Sequence, residues 1–274
     1  MNTPTKAKAN FQHVLPAANL IKGRHPFIVD FCRDKKVLHI GCVDAGIMEE
    51  RFQNNELLHQ KLAQVSPFLY GVDIDVEGIE FLKNNGFDNL WVMDICDPKQ
   101  QAALANIQFD VIILSEVIEH LNNPGLMLDA IKQLMAKDTA LLISVPNAFA
   151  AKNIWNMIKR QEYVHPDHNY YFSHVTFANV LTKSGLAVQE NYIYAFNPVA
   201  FKRSHNIVKS SYWYLHKRFE ESSANWLLFL KNIGLDFVND VKALPENLLS
   251  WFLYKRSGFF GDGLMAICKL SERN

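Results

Sequence analysis

FDVIILSEVIEH, residues 109–120, sets an apolar run directly against two carboxylates and an imidazole. FDVIIL is short, rich in β-branched residues and unbroken by alternation, so it reads as a strand buried on both faces. Open α/β sheets bind ligands beyond the carboxyl ends of their strands, and SEVIEH begins where this strand ends. On a helix, Glu116, Glu119 and His120 have i, i+3 and i+4 spacing and share a face. Three roles stay open for them: ligands of a divalent metal, a metal-free histidine base, or the polar start of a helix that fixes the NNPG loop at 122–125.

Working outward, similar apolar runs recur on both sides. KVLHI (36–40), LYGVDI (69–74), LWVMDI (90–95), ALLISV (140–145) and VQENYIYAF (188–196) are read as strands. Helices fit between them. EGIEFLKNNG places Ile79 and Leu82 at helical spacing and ends at Gly86. LMLDAIKQLM puts Met127, Ile131, Leu134 and Met135 on one face, and SHVTFANVLTKSG starts at Ser173 or Thr176 and stops at Gly185. Short apolar strands alternating with helices predict a doubly wound, mostly parallel sheet. Residues 1–35 are expected to form a helical lead-in, 36–196 the core, 197–260 a helical insertion, and 261–274 a last strand.

Composition bounds the function. The 274 residues are 49% apolar and 20% charged, which describes a globular chain with an ample core. Lys+Arg and Asp+Glu are equal at 28 each, so no global field draws the chain to nucleic acid. Cys32, Cys42, Cys96 and Cys268 form no CxxC pair and read as reduced thiols, which suits the cytoplasm. MNTPTKAKANFQHVLPAANL lacks a signal peptide's apolar stretch, and no segment reaches the ~20 apolar residues of a membrane span.

The strand ends carry the next signal. In VLHIGCVDAG, Gly41 would let the backbone approach a ligand and Gly46 leaves room at the following turn. LYGVDID ends in Asp73 and Asp75, and an acid at the end of a second strand can accept both hydroxyls of an adenosine ribose. Asp94 closes LWVMDI, placed to meet an adenine amino group. Asp75 reads better as a helix cap or a solvated carboxylate.

Taken in order, VLHIGC, LYGVDID, LWVMDI, FDVIILSEVIEHL and ALLISVPN resemble the class I S-adenosylmethionine-dependent methyltransferases. The resemblance covers about residues 36–195 and the final strand, and it implies a Rossmann-like, seven-stranded, mostly parallel sheet. It implies S-adenosylmethionine as cofactor: Asp73 on the ribose, Asp94 and Ile95 on the adenine edge, Gly41 close to the ligand and Ser115 beside its methionyl part. Cys42 and Ile74, next to Gly41 and Asp73, are counted with them. The family's first motif has an acid where His39 stands and a glycine where Val43 stands. NELLHQKLAQVSPFLYGVDIDVEGIEFLKNNGF and VHPDHNYYFS are similar to a subset that methylates sugars of surface glycans, which implies a small-molecule or glycan acceptor.

Methyl transfer to a hydroxyl also needs a base or a metal that lowers its pKa. His120, His165 and His168 are the candidate catalytic bases. Glu116, Glu119, His120 and His168 are the candidate ligands of Mg²⁺ or Mn²⁺, with Zn²⁺ as a further option, as in the EVIEH-like motif of certain small-RNA terminal-ribose and ubiquinone-pathway methyltransferases. His165, His168 and His174 are read as one cluster, and Tyr163, Tyr170, Tyr171 and Phe172 as an acceptor wall or core. Residues 201–260 hold nine Lys/Arg, five Asp/Glu and Trp213, Trp226 and Trp251. They are read as a cap over the acceptor or a homodimer contact, with peripheral membrane contact as the alternative. RNA ribose methylation and a catalytically degenerate binding subunit are the competing functional readings.

Overall fold

A computed structural model describes residues 18–162, 164–194 and 257–272, with Leu15, Leu248, Leu249, Phe252 and Leu253 besides. In chain order its main elements are β1 (Asn19–Ile21), α1 (Arg24–Phe31), β2 (Lys36–Ile40), α2 (Met48–Gln53), α3 (Leu58–Ala63) and β3 (Phe68–Asp73). There follow α4 (Val76–Asn84), β4 (Leu90–Val92), α5 (Pro98–Gln101), β5 (Val111–Ser115), α6 (Pro124–Leu134) and β6 (Ala140–Pro146). The last are α7 (Ala151–Ile158), α8 (His174–Lys183), β7 (Leu186–Tyr194) and β8 (Gly263–Leu270). Every strand expected from the apolar runs is present, although β4 stops at Val92 and leaves Asp94 in the loop beyond it.

The strands lie in the order β1, β7, β8, β6, β5, β2, β3, β4. All neighbours are parallel except β8, which runs antiparallel to both β6 and β7. This is the Rossmann-like α/β sheet expected, with one strand added. The lead-in, expected to be helical, contributes β1, which pairs with β7 at the sheet's edge. The expected 197–260 insertion lies outside the described residues, apart from the four named positions between 248 and 253 and residues 257–260. No helix among the described residues is long and apolar enough to cross a membrane.

The strand pleat divides the core between two faces. Leu38, Ile40, Ile112, Leu114, Leu141 and Ile143 meet Leu128 and Ile131 of α6 and Phe177 and Leu181 of α8. Val37, Val111, Ile113 and Leu142 point the other way, toward Ile28 of α1 and Leu58 and Leu62 of α3. Burial of each such side chain contributes about 1.5–3 kcal/mol. Helix starts are fixed locally: Asp75 caps α4 by accepting from the Gly78 N–H, and Ser173 with Thr176 forms a capping box on α8. All four cysteines are free, three of them buried.

The sheet order reverses at β2, which pairs with β3 on one side and β5 on the other. Such a switch point opens a crevice at the carboxyl ends of the two strands. Gly41 and Ser115 both stand there, one immediately after β2 and the other closing β5.

Candidate active site

Gly41 has φ +72°, the left-handed region, and a Cβ built on it would lie 2.5 Å from Val117 Cγ2. Only glycine combines that backbone with that neighbour. Asp73 at the end of β3 is half-buried; its Oδ2 accepts from the Val43 N–H at 3.0 Å and its Oδ1 from the Asp75 N–H at 3.0 Å. Burial raises the Asp73 pKa while those backbone donors pull it back. The carboxylate therefore ties the loop after β2 to the loop after β3. Ile74, next to it, is 74% exposed, an apolar side chain offered at the rim of the crevice. Asp94 is exposed, with Oδ1 accepting from the Cys96 N–H, and Ile95 is buried beneath it. Ser115 Oγ is 3.0 Å from Ser144 Oγ. Cys42 presents only backbone, since its thiol is packed in a cluster with Ile79, Leu82 and Leu90.

The two departures from the family's first motif, one in β2 and one in the loop after it, have structural roles. His39 is buried with its Nδ1 3.3 Å from Nδ1 of the equally buried His59. Val43 fills the space above Gly78, where a Cβ would come within 2.3 Å of Val43 Cγ1.

At SEVIEH the expected helix is absent. Glu116 has φ +58°, Val117 lies outside the helical region, and only Ile118–His120 forms a single 3₁₀ turn. A left-handed non-glycine residue costs on the order of 1–2 kcal/mol, so surrounding contacts must hold it. Glu116 Oε1 accepts from the Tyr194 hydroxyl at 2.6 Å and lies 2.9 Å from Arg24 Nη1. The Arg24 guanidinium also sits 5.9 Å from the centre of the Tyr194 ring. Glu119 is fully buried, and neither carboxylate oxygen has a hydrogen-bond partner among the described residues. Burial pushes its pKa up to about 7 against the opposing pull of its own backbone N–H and of Arg24.

The expected common face of Glu116, Glu119 and His120 is therefore corrected. The backbone reversal at Glu116 sends its carboxylate to Arg24 and Tyr194. Of the four expected ligands, only His120 and His168 belong to a convergent donor group among the described residues, and His165 joins them there in place of Glu116 and Glu119.

His120 instead faces the loop that precedes α8. Its ring centre is 4.5 Å from that of His168 and 5.5 Å from that of His165. Asn169 fastens the two loops together: its N–H donates to the Glu119 carbonyl at 2.8 Å and its Nδ2 to the His120 carbonyl at 2.7 Å. Burial lowers the His120 pKa, aided by His165; burial, His120 and His165 lower His168 to about 4. Both rings are thus neutral near pH 7. His174 does not join them; it packs on Phe259 with ring centres 4.8 Å apart. Tyr170 and Tyr171 are exposed while Phe172 is core, so the expected aromatic wall reduces to the two tyrosines, Tyr163 lying outside the described residues.

Sequence reading missed Arg24, Tyr194, Asn169 and Asn147. Asn147 is buried at the end of β6, and its Nδ2 donates to the Phe259 and Gly261 carbonyls at 2.8 Å each. The PN after the ALLISV run was its one local signal; Arg24 and Tyr194 had none.

A sequence profile of the methyltransferase domain matches residues 16–191. Ubiquinone biosynthesis O-methyltransferase of Glaesserella parasuis serovar 5 (strain SH0165) is 29% identical over 138 residues, 47% of this chain and 52% of that protein. The protein of the same name from Haemophilus ducreyi (strain 35000HP / ATCC 700724) is 27% identical over 119 residues, 41% of this chain and 46% of that one. The chain thus spans about half the length of the curated relatives it matches. Among solved structures, the small RNA methyltransferase HEN1 superposes with a TM-score of 0.50 at 13% identity, over 91% of this chain and 25% of that one. That likeness is one of fold. With the profile covering more than half of its residues, and with the strand-end crevice in place, the chain belongs to the methyltransferase domain family.

Proposed function

We propose that this chain transfers the methyl group of S-adenosylmethionine to a hydroxyl of a small acceptor, a sugar of a glycan or glycan precursor. The observation that carries the cofactor half is the pairing of left-handed Gly41 with Asp73 across the β2–β3 strand ends, where the order of strands reverses. Asp73 takes the ribose hydroxyls, exposed Ile74 covers one adenine face, Asp94 and Ile95 meet the adenine edge, and Gly41 and Ser115 flank the methionyl part. S-adenosylmethionine supplies an electrophilic methyl, so the protein's share is alignment for in-line attack and removal of one proton. His120, a neutral imidazole in the turn that follows β5, accepts that proton, with His165 and His168 beside it.

Support for a sugar comes from a pocket of about 170 Å³ that adjoins the end of β6. Asn153, Asn156, Gln161, Glu162 and Tyr171 line it together with Ala148 and Met157, so a largely apolar wall carries amides, a carboxylate and a ring able to orient a hydroxylated ligand. A ubiquinone-biosynthesis acceptor, taken as phenolic, is the second reading, favoured by the names of the two curated relatives. RNA ribose ends have less support, because the net charge is zero.

Calorimetry with S-adenosylhomocysteine tests the first half: one site per chain is expected, and no binding refutes the proposal. Transfer of labelled methyl to a panel of nucleotide sugars, oligosaccharides and catechols tests the second. Label on a sugar supports the first reading, and label on catechols alone replaces it with the phenolic one.

A further inference from the structure

Among the described residues, one group of three or more metal-donor side chains converges, and it is made of imidazoles: His120, His165 and His168. Each offers a ring nitrogen, and the three nitrogens lie within 4.8 Å of one another. Around a tetrahedral ion with bonds of about 2.0 Å, ligand atoms stand about 3.3 Å apart. Closing the set therefore takes a contraction of at most about 1.5 Å, in a turn whose His165 is exposed.

We propose that His120, His165 and His168 form a three-imidazole site for one zinc-class divalent ion, in which Glu116 and Glu119 take no part. Neutral imidazole suits zinc, cobalt and nickel, whereas magnesium demands oxygen donors. Of the oxygen donors that EVIEH offers, Glu116 is held by Arg24 and Tyr194, and Glu119 is fully buried and outside the convergent donor group.

The two loops that carry the donors are clamped before any ion arrives. The Asn169 and Tyr170 N–H groups both donate to the Glu119 carbonyl, at 2.8 and 3.2 Å. Asn169 Nδ2 reaches the His120 carbonyl, and the Tyr170 hydroxyl donates to the Asn122 carbonyl at 3.0 Å. Inside the turn, the His168 N–H donates to the His165 carbonyl at 3.0 Å. Asp167 lies behind His165, its N–H 3.3 Å and its carboxylate 3.9 Å from Nδ1. A shift of that contact from N–H to carboxylate puts the ring proton on Nδ1 and leaves Nε2 free to ligate, the usual support for a metal-bound histidine. Three protein ligands leave a fourth position open; with the ion bound, His120 is a ligand and no longer the base, and the ion instead lowers the pKa of a hydroxyl that reaches it.

The test reads binding, so its failure leaves the methyltransferase reading standing, and failure to bind S-adenosylhomocysteine leaves this one standing. The purified full chain, stripped with chelator, is titrated with Zn²⁺ by calorimetry and with Co²⁺ by visible absorption. One equivalent per chain is expected, with the intense bands of four-coordinate cobalt and no displacement by millimolar Mg²⁺. His165→Gln and His168→Gln, both in the surface loop, should each weaken binding at least 100-fold with unchanged circular dichroism. Glu116→Gln and His174→Gln should leave it unchanged. No stoichiometric uptake, retention of affinity in His168→Gln, or loss of affinity in Glu116→Gln would each overturn the proposal.

Discussion

Acidification from pH 7.5 to 4.5 should destabilise this protein through the His39–His59 pair. Both rings are almost inaccessible, at 3% and 1% exposure, and their Nδ1 atoms are 3.3 Å apart. One ring donates and the other accepts, an arrangement that serves the neutral forms. Burial lowers the His59 pKa from 6.5 to about 4. His39 is lowered too, by burial first and then by His59, His25 and Arg24. At His59 the unfolded chain thus takes up a proton below about pH 6.5 that the folded chain refuses until about pH 4, and His39 acts in the same direction. Stability is therefore complete above pH 6.5 and falls as the pH drops toward 4. For His59 alone the limiting loss is about 3.4 kcal/mol, of which about 2.5 kcal/mol is reached at pH 4.5. Urea denaturation at the two pH values should show the wild type losing at least that much more than His39→Leu/His59→Leu. Carboxylates and the other histidines titrate in both proteins and cancel in the comparison. His59→Gln, which keeps a hydrogen-bonding group toward His39, serves as a second variant should the double one fold poorly. Parallel pH dependence in wild type and variants would refute the reasoning, because it would mean that the buried pair protonates without penalty.

Three further outcomes follow from the crevice. Gly41→Ala meets both a left-handed backbone and Val117 at 2.5 Å, so it should cost about 2–4 kcal/mol in thermal or urea unfolding and weaken S-adenosylhomocysteine binding. Asp73→Ala frees the Val43 and Asp75 N–H groups and removes the proposed ribose contact; calorimetry should show at least a 100-fold loss of affinity, and near-wild-type affinity would exclude the ribose role. Tyr194→Phe deletes the hydroxyl that donates to Glu116 and should cost about 1.5–3 kcal/mol in urea denaturation, the range for a hydrogen bond to a charged group.

Much of the sheet was legible because its signal is local. A strand buried on both faces must be apolar along its length, so KVLHI and ALLISV announce themselves without reference to any other segment. Helix caps are local too: Asp75 reaches the Gly78 N–H three residues on, and Ser173 reaches Thr176. The strand β1 was not legible, since Asn19–Ile21 is only three residues long and exists through pairing with β7. At the site, the spacing of Glu116, Glu119 and His120 fits a helix, yet helical spacing predicts a shared face only if the backbone is helical. The φ of +58° at Glu116 removes that premise.

Sequence pattern alone thus accounts for the doubly wound sheet, its strand-end acids and the polar cluster at the end of the fourth parallel strand of the core. Those features depend on which residues follow one another, and neighbours in the chain are enough to reveal them. Which groups meet at that cluster depends on partners far along the chain. Arg24 and Tyr194 draw Glu116 away, the core encloses Glu119, and Asn169 brings His165 and His168 to His120. A side chain's direction is set by one backbone angle and by the charge that waits for it, and both are fixed only when distant segments have packed.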